Sequence, residues 1–157
     1  MKKIILVRHG EALPTSLGSM DYDRVLSEKG KTFVAAQAVK INANNWPIDY
    51  IICSAAKRTR QTGVILVDGM SMSKDLIHFE SKIYEAPMEQ LLEVFEQLPD
   101  DKSTVLWVGH NPGISQLSYY LSGSPFSFSP GNVCVIDLDI TNWFAHYEAC
   151  GKMLKQY

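Results

Sequence analysis

Three apolar runs in this chain each stop at residues that can hold or attack an anion. Ile4-Ile5-Leu6-Val7 stops on Arg8-His9-Gly10. Asp49-Tyr50-Ile51-Ile52-Cys53 gives way to Ser54-Ala55-Ala56-Lys57-Arg58. Thr104-Val105-Leu106-Trp107-Val108 stops on Gly109-His110-Asn111-Pro112-Gly113. Short apolar runs bounded in this way read as buried strands. In open α/β sheets, ligands bind just past the carboxyl ends of the strands. Each run also leads toward a helical segment, whose first N–H groups attract anions. Two arginines, two histidines and free amides around one point suit a compact dianion, with phosphate the leading candidate. A lone His9 would read as structural; three convergent termini turn the reading toward chemistry. A metal site of His9, His110 and Glu85 is disfavoured, because the neighbouring arginines would repel a cation.

The elements that must position these residues can be read in order. Leu13 to Arg24 is a polar, turn-rich loop. Ser27 is a fitting N-cap for a helix running to about Ile41, with Gly30 weakening its first turn. A second helix begins between Lys57 and Thr59 and ends by Gly69, with Lys57 and Arg60 expected to face solvent. A short strand at Leu76–Phe79 follows, then a helix opened by Pro87 with Leu91, Leu92, Phe95 and Leu98 on its apolar face. A further helix covers about Ile114 to Leu121. Val133–Leu138 and Phe144–Tyr147, separated by a turn at Asp139–Asn142, suggest a closing hairpin. His78 and His146 read as satisfied sheet residues, and Trp107 as core. Trp46, Trp143 and the Phe126/Phe128 pair read as packing residues, although the pair could also line the rim of the site. Strands alternating with helices imply an α/β three-layer sandwich, a mostly parallel sheet with helices on both faces and a C-terminal hairpin.

Composition bounds the rest. The 157 residues fit one domain, taken as 1–157, and 46% hydrophobic residues suit a packed globular chain. A net charge of −2 gives no general attraction to nucleic acid or an anionic membrane. No apolar stretch approaches the roughly 18 residues of a membrane span, and nothing resembles a signal peptide. Cys53, Cys134 and Cys150 are odd in number and widely spaced, which suits reduced thiols in a cytoplasm better than a disulfide framework; a monomer is expected.

The sequence resembles the histidine phosphatase superfamily, and within it the short SixA-type phosphohistidine phosphatases. The resemblance rests on an ordered set of blocks: Val7 to Ala12, Asp23 to Ser27 through Gly30, Ser54 to Thr62, Tyr84-Glu85-Ala86, and Gly109 to Gly113. It implies a phosphoglycerate mutase-like fold and the following roles. His9 takes the phosphoryl group onto a ring nitrogen, while Arg8, Arg58 and His110 hold phosphate oxygens and offset transition-state charge. Arg24 assists phosphate binding. Glu85 stands where many members carry the acid that protonates the leaving group, although a solvated surface carboxylate is an equal reading. No metal or other cofactor is implied, since the pocket's own cations supply the charge. Ala55 departs from the family's usual Ser-Pro and could loosen the loop that carries Arg58.

The expected activity is therefore that of a metal-independent phosphatase with a phosphohistidine intermediate, in signal transduction. Only Gly63 to Tyr84 separates the second arginine block from Glu85, too short for a substantial lid. An open pocket could admit phosphohistidine on a protein such as a phosphotransfer domain. The alternatives are a phosphatase of small phosphoesters or sugar phosphates, and a phosphate-binding module with little turnover.

Overall fold

The computed structural model describes residues 1–157. Six strands form one sheet: β1 (Lys2–Arg8), β2 (Tyr50–Ser54), β3 (Ile77–Glu80), β4 (Thr104–Gly109), β5 (Val133–Leu138) and β6 (Gly151–Gln156). Their order is β3-β2-β4-β1-β5-β6. The first four in that order run parallel, and β5 and β6 are added antiparallel, each to its inner neighbour. The α/β sandwich with a mostly parallel sheet is the architecture expected from the alternation of strands and helices.

Alternation along the strands sends successive side chains to opposite faces. Ile4, Leu6, Val105 and Trp107 pack with Leu91, Val94 and Phe95 of α3 (Met88–Glu96) and with Ile114, Leu117 and Leu121 of α4 (Gly113–Ser122). Ile5, Val7, Leu106 and Val108 pack on the other face with Val34, Ala38 and Ile41 of α1 (Glu28–Asn42) and Leu66 and Val67 of α2 (Lys57–Gly69). Each face buries its own apolar cluster, and a one-residue slip would exchange the side chains between the two differently shaped faces.

The C-terminal hairpin forms with a different second strand from the one the sequence suggested. Phe144–Tyr147 does not pair: Trp143–Ala145 is a 3-10 turn, Phe144 is 73% exposed, and β5 pairs with Gly151–Gln156 instead. The edge strand β6 is largely exposed, so little apolar alternation marked it. Trp143 is fully buried, with its ring edge-on to Phe95 and its indole N–H donated to the Pro99 carbonyl. His146 accordingly lies outside the sheet, between Tyr120 and Glu96.

Gly30 has a purpose its helix propensity hid. A Cβ built on it would lie 2.2 Å from the Glu11 carbonyl oxygen, so its absence lets the chain after β1 cross against α1. Ser27 does cap α1, accepting from the Gly30 N–H at 2.9 Å, and also donates to Glu11 Oε1 at 2.9 Å.

Candidate active site

β4 lies between β1 and β2, and Arg8 is in register with Gly109. The carboxyl ends of three neighbouring strands therefore open onto one point. Arg8, His9, Asp21, Arg24, Arg58, Glu85 and His110 line a single pocket of about 310 Å³, with Asn111 and Pro130 among its other walls. All the residues singled out from sequence meet there, and Asp21 joins them.

His9 is 7% exposed, and its ring is fixed by an adjacent backbone group. Nδ1 lies 2.7 Å from the Gly10 carbonyl oxygen, which can only accept, so Nδ1 carries the proton. The Gly10 N–H in turn donates to Thr62 Oγ1 at 3.1 Å, and Thr62 donates to the Arg58 carbonyl at 2.8 Å. Burial, then Arg58 and Arg8, lower the His9 pKa to about 4, while the bond to Gly10 pulls the other way. Desolvation thus outweighs the neighbouring cations that the sequence made prominent. The ring is neutral near pH 7, its lone pair sits on Nε2, and Arg58 Nε donates to that atom at 3.3 Å.

Arg58 is equally constrained. Its Nη1 donates to the Asp21 carbonyl at 2.8 Å and its Nη2 to the Asp21 carboxylate at 3.1 Å. The same carboxylate accepts from Arg24 Nη1 at 3.1 Å and from the Tyr84 hydroxyl at 2.5 Å. The Tyr84 hydrogen bond, followed by the arginines, holds the Asp21 carboxyl down at about 2, against the opposing cost of desolvation. Asp21 was missed in the sequence, where only its position three residues before Arg24 hinted at a pair.

His110 is 8% exposed, and its Nε2 lies 2.6 Å from the hydroxyl of fully buried Ser54. Burial first, then His9 and Arg58, lower its pKa to about 3. Arg8 donates Nη1 to the Phe128 carbonyl at 2.8 Å, which gives Phe128 a part in the rim beyond packing. Arg8 Nε and His110 Nδ1 are buried with no protein partner. Such groups are uncommon in a folded chain, and both belong to residues that line the pocket.

The loop without proline is not loose. Thr59 Oγ1 bonds the Ser54 and Ala56 carbonyls at 2.7 and 2.8 Å, and Arg60 Nε donates to the Ala55 carbonyl at 2.7 Å. Arg60 faces solvent as expected, and it also lies 4.0 Å over the Phe79 ring, so an exposed arginine braces the helix start. Lys57 is exposed as expected. Cys53 is fully buried, and desolvation raises its thiol pKa well above the ordinary value, which makes it inert.

Glu85 is exposed and adopts a left-handed backbone conformation with φ 50°. That conformation is uncommon for a residue other than glycine. Glu85, His110 and Asn111 also line a second, larger cleft of about 700 Å³ floored by Ile83, Leu91, Trp107 and Ile114. The site is thus less shallow than the missing lid suggested. No group of three His, Cys, Asp or Glu side chains is arranged to hold a metal ion. No helix is long and apolar enough to cross a membrane.

The sequence model of the histidine phosphatase superfamily (branch 1) matches residues 4–78. That span contains Arg8, His9, Arg24 and Arg58 but not Glu85 or His110, which the fold brings to them. An uncharacterized chloroplastic protein of Arabidopsis thaliana is 28% identical over 90% of this chain and 69% of its own length. An uncharacterized protein of Mycobacterium tuberculosis is 29% identical over 67% of this chain and 63% of its own length. Among solved structures, a candidate phosphohistidine phosphatase SixA from Agrobacterium tumefaciens superposes with a TM-score of 0.84 at 22% identity. The match covers 99% of this chain and 97% of that one. A protein histidine phosphatase SixA complexed with tungstate gives 0.81 at 18% identity, covering 98% and 95%. At these identities the likeness is one of fold.

Proposed function

We propose that this chain is a phosphatase of the histidine phosphatase superfamily, that it acts without metal through a phosphorylated His9, and that its substrate is phosphohistidine on a protein. The observation that carries the reading is the fixed ring of His9, with Nδ1 spent on the Gly10 carbonyl and the Nε2 lone pair turned to Arg58.

The Nε2 lone pair attacks phosphorus, and the bond from phosphorus to the leaving nitrogen or oxygen breaks with its electron pair. Water then attacks the phosphoryl group on His9, the P–Nε2 bond breaks, and its pair returns to the ring as phosphate departs. Arg8, Arg24, Arg58 and His110 surround the oxygens on which charge grows. Donors preorganised in this way commonly contribute about 3–4 kcal/mol each. Phosphohistidine leaves as an imidazole whose conjugate acid has a pKa near ~6.5, so it needs little help from a proton donor. An alkoxide is far more basic, and Glu85, on the pocket wall, would supply its proton.

One structural feature favours a second reading, a phosphatase of small esters. The 700 Å³ cleft beside the phosphate pocket has an apolar floor and lies within the usual size range of small-ligand sites, ~300–1,000 Å³. The two readings separate on a substrate panel: a phosphohistidine protein, p-nitrophenyl phosphate and sugar phosphates, each with and without EDTA. The expected result is fastest turnover of the phosphohistidine protein and no effect of EDTA. Faster turnover of a sugar phosphate would favour the second reading, and loss of activity in EDTA would contradict the metal-independent mechanism.

A further inference from the structure

The loop that brings Asp21 and Arg24 to the pocket also carries apolar side chains out into water. Leu17 is 107% exposed, Met20 69% and Leu13 48%, all within eight residues. Isolated surface leucines are ordinary, but this loop is built to hold one up. The Ser19 N–H donates to the Ser16 carbonyl at 3.1 Å, and Gly18 has φ +81°. That is the signature of a type II turn, which requires a positive φ at its third position. The two serine hydroxyls lie 2.8 Å apart, and the Ser16 N–H donates to Ser19 Oγ at 3.1 Å, closing the turn a second time. Leu17 is the second residue of this turn. The stem of the loop is tied as well: Ala12 bridges Leu26, and Arg24 Nε donates to the Leu13 carbonyl at 2.7 Å.

We propose that the Leu13–Met20 loop is a docking surface, with Leu17 as its anchor, for the protein that presents the phosphoryl group to His9. This rests on the phosphatase reading above and deepens it. The occupant follows from continuity: the loop runs directly into Asp21 and Arg24 of the pocket wall, so a protein whose phosphoryl group enters that pocket comes up beside the loop. A phosphate ester of metabolite size would be held by the pocket and its cleft, and would gain nothing from an apolar anchor beyond the rim. A protein partner with an apolar surface beside its phosphohistidine would bury Leu17 and Met20. Little conformational entropy would be lost on binding, since the turn is already ordered.

The test uses two substrates on the intact chain: a histidine phosphotransfer domain phosphorylated on its histidine, and phosphoramidate. Leu17→Ser combined with Met20→Ser is expected to raise KM for the phosphoprotein about tenfold or more, with phosphoramidate hydrolysis unchanged. Leu17→Met is expected to retain wild-type kinetics. Phe144→Ser removes an equally exposed apolar group from the opposite edge of the sheet and is expected to change neither substrate. Unchanged phosphoprotein kinetics in the double variant would overturn the docking role, as would an equal loss on both substrates. A wild-type dimer that the double variant dissociates, seen by sedimentation, would assign the loop to a second copy of this chain and overturn it too. Failure of the wild-type protein to hydrolyse either substrate would instead count against the underlying phosphatase reading.

Discussion

Both edges of the sheet carry histidines set among aromatic rings, and they differ in whether the polar atoms are satisfied. At the amino-terminal edge of β1, opposite the pocket, His146 has both ring nitrogens engaged, Nδ1 with the Tyr120 hydroxyl at 3.0 Å and Nε2 with Glu96 at 2.9 Å. Beside it, Trp143 donates its indole N–H and its backbone N–H to the 99–102 loop. At the carboxyl edge, the Tyr84 ring stands edge-on to His110, His110 Nδ1 and Arg8 Nε have no protein partner, and His9 keeps a lone pair toward an arginine. The first edge is a staple that joins α3, α4 and the Trp143 turn. The second leaves two polar atoms, on Arg8 and His110, without a protein partner. Residue type alone does not separate the two kinds of histidine; His146 has both nitrogens engaged with side chains, whereas His110 leaves Nδ1 unpartnered and His9 Nε2 meets only a long contact from Arg58.

The largest effect should come from the arginine that touches the His9 ring. Arg58→Lys keeps a charge but loses the fork that reaches His9 and Asp21 together. It is expected to lower kcat/KM about 10²–10³-fold with little change in melting temperature; a drop in melting temperature with activity kept would make Arg58 a structural residue like His146. Glu85→Gln comes next. It should slow hydrolysis of p-nitrobenzyl or alkyl phosphates about a hundredfold and that of phosphohistidine far less. Equal losses, measured in parallel assays, would remove Glu85 from the role of proton donor.

The third prediction uses pH to tell the edges apart. Unfolded histidines take up protons below about pH 6.5, whereas burial keeps His9 and His110 neutral down to about 4 and about 3. Between those values the unfolded chain binds more protons, so stability falls as pH falls from 6.5 toward 4, by up to about 1.4 kcal/mol per unit for each histidine. Urea melts across that range should show a shallower slope for His110→Asn. An unaltered slope would mean that His110 is not held neutral. The smallest effect belongs to the staple: His146→Phe removes two hydrogen bonds and should cost about 1–2 kcal/mol of stability, with kcat/KM unchanged in the same preparations.

The layered fold was legible because short apolar runs alternated with longer helical segments. Strands such as Ile4–Val7 bury both faces, and α2 and α4 start within a residue or two of their expected positions. Arg8, His9, Arg58 and His110 could be found because strand ends share an edge in a parallel sheet. Their supports were harder to see. Thr62 and Ser54 act through single hydroxyls, and Asp21 acts partly through its carbonyl, a group every residue has. Ala55 looked like a defect because the brace from Arg60 spans the helix start in three dimensions. The last strand was misplaced because an exposed edge strand needs little apolar alternation, while Phe144 and Tyr147 mimicked it on the surface.

The central claim is that His9 becomes covalently phosphorylated. Rapid quench of the enzyme with labelled phosphohistidine protein or phosphoramidate, followed by peptide mapping, tests it directly. The predicted result is label that is acid-labile and base-stable on the His9 peptide, formed and lost fast enough to account for turnover, and missing from an inactive His9→Ala variant. Full turnover by His9→Ala, or label on any other residue, would contradict it.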